Sequence, residues 1–279
     1  MPELPEVETV CRGLKPALVG QEIVKADVRR KDLRRPFPRG LKACLESSRI
    51  AGVGRRAKYI LVHLDNGFVL VIHLGMSGRI VFQPHSYKPQ PHDHFILHLS
   101  GGQQVVLNDP RRFGLVDLVP AAELDSHQLF AHLGPEPLSD CFSGPVLAAA
   151  LQGRKTAIKL AIMDQHIVVG VGNIYASEAL FMAGIDPAMP AGEVETKKVE
   201  ALAAAIKKVL QQAIRAGGST LRDHRQTNGE RGYFQHHFMV YDQEGAPCPR
   251  CRRAGRKKAR IARIIQGGRS SFYCPRCQI

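Results

Sequence analysis

Two pairs of cysteines near the end of the chain give the most specific chemical signal in the sequence. Cys248 and Cys251 form one Cys-x-x-Cys pair, Cys274 and Cys277 form the other, and residues 252–273 separate them. In a reducing compartment such pairs indicate metal ligands before disulfides. Redox dithiols, the alternative, would need a thioredoxin-like context that the sequence does not show. Four thiolates suit one structural Zn²⁺ and leave no position open for catalysis, so we predict a zinc finger.

The start of the chain offers a candidate nucleophile. Methionine before a small residue is normally trimmed, which would leave Pro2 with a secondary amine at the chain end. An α-amino group has a pKa of about 7.7–8.0, so part of it is neutral at pH 7 and can attack an aldehyde-like carbon to form a Schiff base. Glu3 stands beside it as a candidate proton donor or acceptor. A terminus that merely frays is the alternative.

Two further segments combine positive charge with a turn or a strand edge. Lys58 ends an Arg-Arg-Ala-Lys run before an apolar segment, where a lysine is most often solvated but could hold a phosphate or a developing charge. Residues 109–114 read Asp-Pro-Arg-Arg-Phe-Gly. Such a segment can contact phosphates while an apolar wedge enters a base stack, although a turn with a core phenylalanine fits equally.

A glycine-rich turn at 170–172 precedes a predicted helix that begins at Asn173. A helix N-terminus of this kind presents backbone N–H groups to an anion, and Arg154 and Lys159 on the preceding helical segment would add positive charge. The sequence His92-Asp93-His94 resembles a metal motif. In a strand, however, both histidines point to one side without a third ligand, so we favour a role other than metal binding.

The charge balance indicates a polyanionic partner. The chain has 39 Lys and Arg against 25 Asp and Glu, a formal net charge of +14 at pH 7. Nucleic acid is the commonest polyanion for such a protein. A solvated basic surface and an anionic membrane are the alternatives, but no amphipathic anchor or lipidation signal accompanies the charge. No apolar run of membrane-spanning length and no signal peptide is present, so we expect a cytoplasmic protein, associated with the nucleoid in a bacterium.

Mixed secondary structure is expected, with strands first and helices later. Strand-length apolar runs at 59–64 and 68–74 flank Asp65-Asn66-Gly67, and a second pair at 95–99 and 104–107 flanks a Ser-Gly-Gly turn. A further strand is predicted at 116–119 and an early helix from about Glu6 to Val19. Short strands at this spacing predict a sandwich or barrel.

Helical periodicity replaces the strand pattern after the Pro- and Gly-rich segment 133–137. Helices are predicted at 158–163 and 174–181, and a longer one carries Leu202, Ile206, Leu210 and Ile214 up to Gly217-Gly218. Short strands and the cysteine pairs follow from about Tyr233. The predicted domains are therefore residues 1–133, 134–234 and 235–279. A monomer is the default expectation.

Seven sequence blocks together resemble the Fpg/Nei family of DNA glycosylases. They are PELPEVET at the start, GRRAKYI, HLGMSG, DPRRFG, VVGVGNIYASE, GGSTLRD and GGRSSFYCPRCQ. The resemblance implies an α+β fold: an N-terminal β-sandwich with flanking helices, a helix–two-turns–helix domain and a four-cysteine zinc finger. It also implies excision of oxidised purines, such as 8-oxoguanine and formamidopyrimidines, from double-stranded DNA, after the damaged base is flipped out of the stack.

The same resemblance implies roles for individual residues. Pro2 would be the nucleophile at the sugar C1′, Glu3 the acid and base that helps to open the sugar, and Lys58 a participant in base excision and β-elimination. Arg269 would hold a phosphate beside the lesion and assist δ-elimination. Three residues would fill the gap left by the flipped base: Met76, Arg111 and Phe113, of which Arg111 would read the opposite cytosine. Four others would contact the DNA backbone: His92, Arg154, Lys159 and Asn173. The loop 222–235 is the candidate contact for the flipped base.

The finger departs from the family in one respect, because the family usually has fewer residues between its cysteine pairs. The excess falls in the basic run 252–260, which puts the finger's first strand and its non-specific DNA affinity in question. A flexible, solvated loop is the interpretation that we favour for this run. Two alternatives remain. An endonuclease VIII-like relative would act on oxidised pyrimidines, but it typically begins PEGPE, whereas this chain has Leu4. A non-catalytic zinc-finger protein would have no reason to keep Pro2, Glu3 and Lys58.

Overall fold

The computed structural model describes residues 2–219 and 232–279, which fall into two compact units. The first unit combines Met1–Ala131 with Ala216–Tyr233, and the second combines His132–Arg215 with Phe234–Ile279. The three-domain division at 133 and 234 stays a prediction. Along the described ranges, no helix is long and apolar enough to cross a membrane.

Within its described residues, the first unit contains eight antiparallel strands. They are β1 (Ile23–Val28), β2 (Ile50–Arg56), β3 (Tyr59–Leu64), β4 (Phe68–His73), β5 (Arg79–Pro84), β6 (Asp93–Leu99), β7 (Gln103–Asn108) and β8 (Leu115–Pro120). One four-stranded sheet has the order β1-β6-β7-β5, and the other has the order β2-β3-β4-β8. One apolar core draws on both sheets, which confirms the predicted sandwich.

Helix α1 (Leu4–Leu18) flanks this core and carries the start of the chain. Its apolar residues Val7, Val10, Leu14 and Leu18 recur at helical spacing and are buried against the sandwich. Glu3 and Glu6 form a reciprocal capping box, so the first backbone N–H groups of the helix have partners. A short helix α2 (Leu41–Leu45) follows β1. The chain start is therefore fixed by a capped and buried helix.

The second unit is mainly helical. Its helices are α3 (Gly144–Leu151), α4 (Ile158–Met163), α5 (Asn173–Ala183) and α6 (Thr196–Arg215). Helix α6 buries one apolar stripe, including Leu202, Ile206 and Leu210, and packs against α3 and α5. Residues 164–172 join α4 to α5 through a turn at 165–167 and a bent segment at 168–170, between the two helices of the predicted helix–two-turns–helix domain.

The finger completes the second unit. Helix α7 (Pro249–Arg253) is followed by the antiparallel strands β9 (Ala262–Gln266) and β10 (Arg269–Tyr273). Gly267 and Gly268 connect the strands, and both have positive φ, at 53° and 72°. A two-residue loop with this backbone matches the twist of the strands, and glycine adopts it without strain. The questioned first strand is intact, because the extra residues lie before β9.

The sequence located most of the regular elements. The predicted strands at 59–64, 68–74, 95–99, 104–107 and 116–119 and the predicted helices are confirmed within a few residues. Strands β1, β2 and β5 were not predicted; β2 carries Gly52 and Gly54 in place of apolar side chains. Two placements were wrong. Arg154 lies after the end of α3 rather than on a helix, and His92 has a positive φ of 72° and precedes β6.

Candidate active site and metal site

The buried start of α1 holds Pro2 and Glu3. The backbone N–H of Glu3 donates to Glu6 Oε2 at 2.8 Å. The other carboxylate oxygen of Glu6 accepts from the backbone N–H of Ser219 at 2.8 Å and from its hydroxyl at 2.9 Å. Glu6 therefore joins the start of α1 to the Gly-Gly-Ser segment at residues 217–219. The backbone that follows Pro2 is thus fixed by its hydrogen bond to Glu6, which is itself bound by Ser219.

Lys58 lies in the tight turn between β2 and β3. Ala57 adopts a positive φ of 52°, and Lys58 is only 7% exposed, so the solvated lysine expected at a strand edge is not observed. Arg55 donates to the carbonyl of Ala57 at 2.8 Å and to Glu8 of α1 at 3.1 Å. The turn that carries Lys58 is thus tied to the helix that carries Pro2.

The contact with Arg55 changes the pKa of the Glu8 carboxylate. Burial raises its pKa, but hydrogen bonds from Arg12 and Arg55 outweigh burial and hold the pKa below its usual value. Glu8 therefore stays ionised near neutral pH and keeps Arg55 in place.

His73, at the end of β4, is a buried neutral histidine close to Lys58. Burial, with the positive charges of Lys58 and Arg34, lowers the pKa of His73 to about 4. Its Nδ1 accepts a hydrogen bond from the backbone N–H of Gly75 at 3.0 Å. The proton of the neutral ring is therefore on Nε2.

Two turns next to each other present exposed apolar side chains. Met76 is 43% exposed and Phe113 is 45% exposed. The guanidinium of Arg111 lies 4.8 Å from the centre of the Phe113 ring. A methyl group on Gly75 would overlap the backbone of Phe113, so the two turns are in close contact. The structure therefore brings the three predicted gap-filling residues onto one pair of turns.

His92 lies beside the second of these turns. It is exposed, its ring centroid is 6.2 Å from that of His94, and its carbonyl accepts from the backbone N–H of Asp109. His94 is buried and donates to the carbonyl of Asp109 at 3.0 Å. These contacts favour a structural role for the buried His94 and a surface role for the exposed His92 over metal binding by the two histidines.

Lys159 and Asn173 meet in the second unit, beside the finger hairpin. The ammonium of Lys159 donates to Asn173 Oδ1 at 2.7 Å, to the hydroxyl of Ser271 at 2.7 Å and to the carbonyl of Ser270 at 3.1 Å. Lys159 is 1% exposed, and these bonds engage all three ammonium donors. In this structure the ammonium of Lys159 therefore positions Asn173 and the hairpin, and its contact with the DNA backbone stays a prediction.

The other basic residues predicted to bind DNA are exposed. Arg154 donates to the carbonyl of Ala150 at 2.7 Å and leaves its remaining guanidinium donors at the surface. Arg269 is exposed directly after the Gly267-Gly268 tip of the hairpin. Asn173 is half-buried at the first position of α5, where its side chain also donates to Ser270. Residues 220–231, most of the predicted base-contact loop, lie outside the described residues.

The four cysteines of the finger converge. Their sulfur atoms all lie within 4.8 Å of one another, with Cys248 to Cys277 at 3.7 Å and Cys251 to Cys274 at 3.8 Å. A tetrahedral ion with metal–sulfur bonds of about 2.3 Å needs sulfur separations of about 3.8 Å. The cluster therefore fits a four-coordinate metal ion.

Three supporting residues were missed from the sequence. Ser77 donates to Asp109, Ser219 donates to Glu6, and Ser271 accepts from Lys159. Serine is common in loops, and nothing in its spacing shows which distant side chain it will meet. Asp109 gave a partial signal, because it begins the Asp-Pro-Arg-Arg-Phe-Gly segment.

Comparison with known proteins places the chain in a family. The model of the formamidopyrimidine-DNA glycosylase N-terminal domain matches residues 1–116, and the model of the formamidopyrimidine-DNA glycosylase H2TH domain matches residues 133–225. The formamidopyrimidine-DNA glycosylase of Dinoroseobacter shibae is 52% identical over 287 residues, and that of Azorhizobium caulinodans is 51% identical over 298 residues. Both alignments cover 100% of each chain.

Solved structures give the same result. The Fpg protein of Thermus thermophilus superposes with a TM-score of 0.87 at 39% identity, covering 99% of this chain and 98% of that one. A Lactococcus lactis Fpg mutant bound to DNA containing Fapy-dG superposes with a TM-score of 0.91 at 32% identity, covering 99% of each chain. Fold and site together define a DNA-repair glycosylase. The chain belongs to the formamidopyrimidine-DNA glycosylase family.

Proposed function

We propose that this enzyme is a bifunctional DNA glycosylase and AP lyase that excises oxidised purines, including 8-oxoguanine and formamidopyrimidines, from double-stranded DNA. The observation that carries the proposal is the pairing of Pro2 and Glu3 on a capped, buried helix start that Arg55 ties to the Lys58 turn. A protein that only bound DNA would not require a buried terminal amine, a carboxylate and a buried lysine.

In the proposed reaction the amine of Pro2 attacks the sugar C1′ and displaces the damaged base. Glu3 supplies the proton that lets the sugar ring open, which leaves a Schiff base between Pro2 and C1′. The position of Pro2 supports this chemistry, because Pro2 lies at the buried start of α1 directly before Glu3.

Strand cleavage follows from the same intermediate. Loss of a C2′ proton expels the 3′ phosphate by β-elimination, with Lys58 assisting, and δ-elimination then expels the 5′ phosphate, with Arg269 holding the phosphate beside the lesion. Met76, Arg111 and Phe113 fill the space left by the flipped base, and Arg111 reads the opposite cytosine. His92, Arg154 and Asn173 contact the backbone.

We infer that the metal ion is a single structural Zn²⁺ held by Cys248, Cys251, Cys274 and Cys277. The support is the donor set, since four thiolates at tetrahedral spacing suit zinc and leave no site for substrate. The ion would hold the base of the hairpin that presents Arg269. We also propose that the protein is a monomer and that it acts on chromosomal DNA in the cytoplasm.

Excision from defined duplexes tests the substrate class. A labelled duplex with one 8-oxoguanine opposite cytosine should lose the base and give the β,δ-elimination product. A duplex with an oxidised pyrimidine should react at least about tenfold more slowly, a difference of about 1.4 kcal/mol in activation free energy. Preference for the pyrimidine would favour the endonuclease VIII-like alternative, and an intact strand with both duplexes would contradict either enzyme.

A further inference from the structure

The finger carries a concentrated positive charge that the proposed reaction does not use. Six of the nine residues in the segment 252–260, which we call the basic loop, are Lys or Arg. No Asp or Glu occurs anywhere from Cys248 to Ile279. No acidic residue between Cys248 and Ile279 therefore offsets the positive charge of the basic loop.

The positive charges of the basic loop lie at the surface. All six are exposed: Arg252, Arg253, Arg256, Lys257, Lys258 and Arg260. Within 2–219 and 232–279, none of them forms an ion pair, and the nearest pair in the chain, Arg263 with Glu244 at 3.7 Å, lies outside the loop. Unpaired cations on one segment attract a polyanion and release its counterions on binding.

The backbone of the basic loop is folded onto the metal site. The N–H of Cys248 donates to the carbonyl of Ala259 at 3.0 Å, and the N–H of Arg256 donates to the carbonyl of Cys251 at 2.8 Å. Arg260 also donates to the carbonyl of Lys257 at 2.8 Å. The cations are thus presented from a fixed turn rather than from a free tail, which lowers the entropy lost when they bind.

The basic loop lies at the opposite end of the hairpin from Arg269. It precedes β9 at Ala262, which pairs with Tyr273 beside Cys274, whereas Arg269 pairs with Gln266 at the tip. Four residue steps of about 3.4 Å separate the two ends by about 14 Å. Because each base pair advances about 3.4 Å, this length corresponds to about four base pairs.

We propose that the basic loop is a second DNA-backbone contact surface, which binds phosphates beyond the segment of duplex that Arg269 contacts. The inference rests on the proposed function only in taking DNA as the polyanion. Guanidinium groups match phosphate oxygens in geometry as well as charge. The loop contains no large apolar side chain to insert into a membrane, only Ala254, Gly255 and Ala259 besides its cations.

Binding to undamaged DNA tests the loop separately from catalysis. The variant K257Q/K258Q is compared with K197Q/K208Q, which removes two exposed lysines from α6 and gives the same net charge. Affinity is measured against salt on an undamaged duplex of about three helical turns, or about 30 base pairs. Anionic vesicles of phosphatidylserine and phosphatidylcholine serve as the competing surface.

The expected result is specific to the basic loop. The slope of log affinity against log salt should fall by about 0.9 for each lysine that contacts a phosphate, so by up to about 1.8 for K257Q/K258Q. K197Q/K208Q should show the wild-type slope. An equal loss in both variants, or a loss confined to vesicles, would overturn the proposal. Failure of base excision would refute the proposed function without altering these slopes.

Discussion

The hydroxyl of Ser77 donates a 2.6 Å hydrogen bond to the carboxylate of Asp109, and this bond joins the turn that carries Met76 to the turn that carries Phe113. The second oxygen of the fully buried Asp109 accepts from the backbone N–H of Gly114 at 2.7 Å. Ser77 in turn accepts from the N–H of Arg111 at 3.2 Å. The side chains predicted to enter the DNA are therefore held by one short network.

Ser77→Ala tests that network. The bond to a buried carboxylate is worth about 1.5–3 kcal/mol, so the free energy of unfolding should fall by that amount. The preference for cytosine over adenine opposite the lesion should also fall several-fold, because Arg111 loses its fixed backbone. Urea unfolding and paired excision assays measure the two effects. Ser126→Ala, which removes an exposed bond in the same unit, is the control, and an unchanged opposite-base ratio in Ser77→Ala would disprove the coupling.

Lys159→Met separates a positioning role from a phosphate contact. Removing the ammonium leaves buried acceptors on Asn173, Ser270 and Ser271, so we expect a loss of about 3 kcal/mol in unfolding free energy. The salt slope of DNA binding should stay within error of wild type. A direct phosphate contact would instead lower the slope by about 0.9, and that outcome would confirm the predicted backbone contact. Lys208→Met, at an exposed site, is the control.

His73 predicts an acid-sensitive stability. Its pKa is lowered to about 4 in the folded protein by burial and by Lys58 and Arg34, against about 6.5 in the unfolded chain. The unfolded chain binds the proton first, so this contribution is complete above pH 6.5 and is lost as the pH falls towards 4. Between pH 6.5 and 5 the loss is about 2 kcal/mol.

Denaturant unfolding at these two pH values measures that loss. His73→Asn should show a smaller pH dependence, since it removes the titrating ring. His85→Asn, at an exposed site, should keep the wild-type dependence. Equal pH dependence in wild type and His73→Asn would show that His73 is not the group responsible.

Metal removal tests the finger. A strong chelator should release one Zn²⁺ per chain, and the finger should unfold because its core is small and contains the ligands Cys248, Cys251 and Cys274. DNA affinity should fall with it and return when Zn²⁺ is restored. A different metal in the released fraction, or full affinity after removal, would contradict a structural zinc site.

Features that depend on residues close together in the sequence could be predicted, whereas features that depend on long-range contacts could not. The Cys-x-x-Cys pairs, the Asp-Asn-Gly hairpin and the apolar stripe of α6 act over a few residues, so they were found from spacing alone. The chain start indicated Pro2 only as a candidate nucleophile beside Glu3, since a terminus that frays fits the same residues. The roles proposed for Pro2, Glu3 and Lys58 therefore depend on family resemblance.

Burial was the feature that the sequence did not reveal. Lysine is usually a surface residue, and only the packing of α4 and α5 against β10 shows that the ammonium of Lys159 is enclosed. The pairing of Ser77 with Asp109, 32 residues apart, likewise depends on how two turns of the sandwich meet.

Covalent trapping at the chain start distinguishes a Pro2 nucleophile from any other amine of the protein. The protein is incubated with a duplex containing 8-oxoguanine opposite cytosine in the presence of borohydride, and the adduct is digested and mapped by mass spectrometry. We expect one protein–DNA adduct on the N-terminal peptide, with the reduced bond on the nitrogen of Pro2 and no adduct when Met1 is retained. An adduct on a lysine such as Lys58, or base excision without any adduct, would contradict a Pro2 nucleophile.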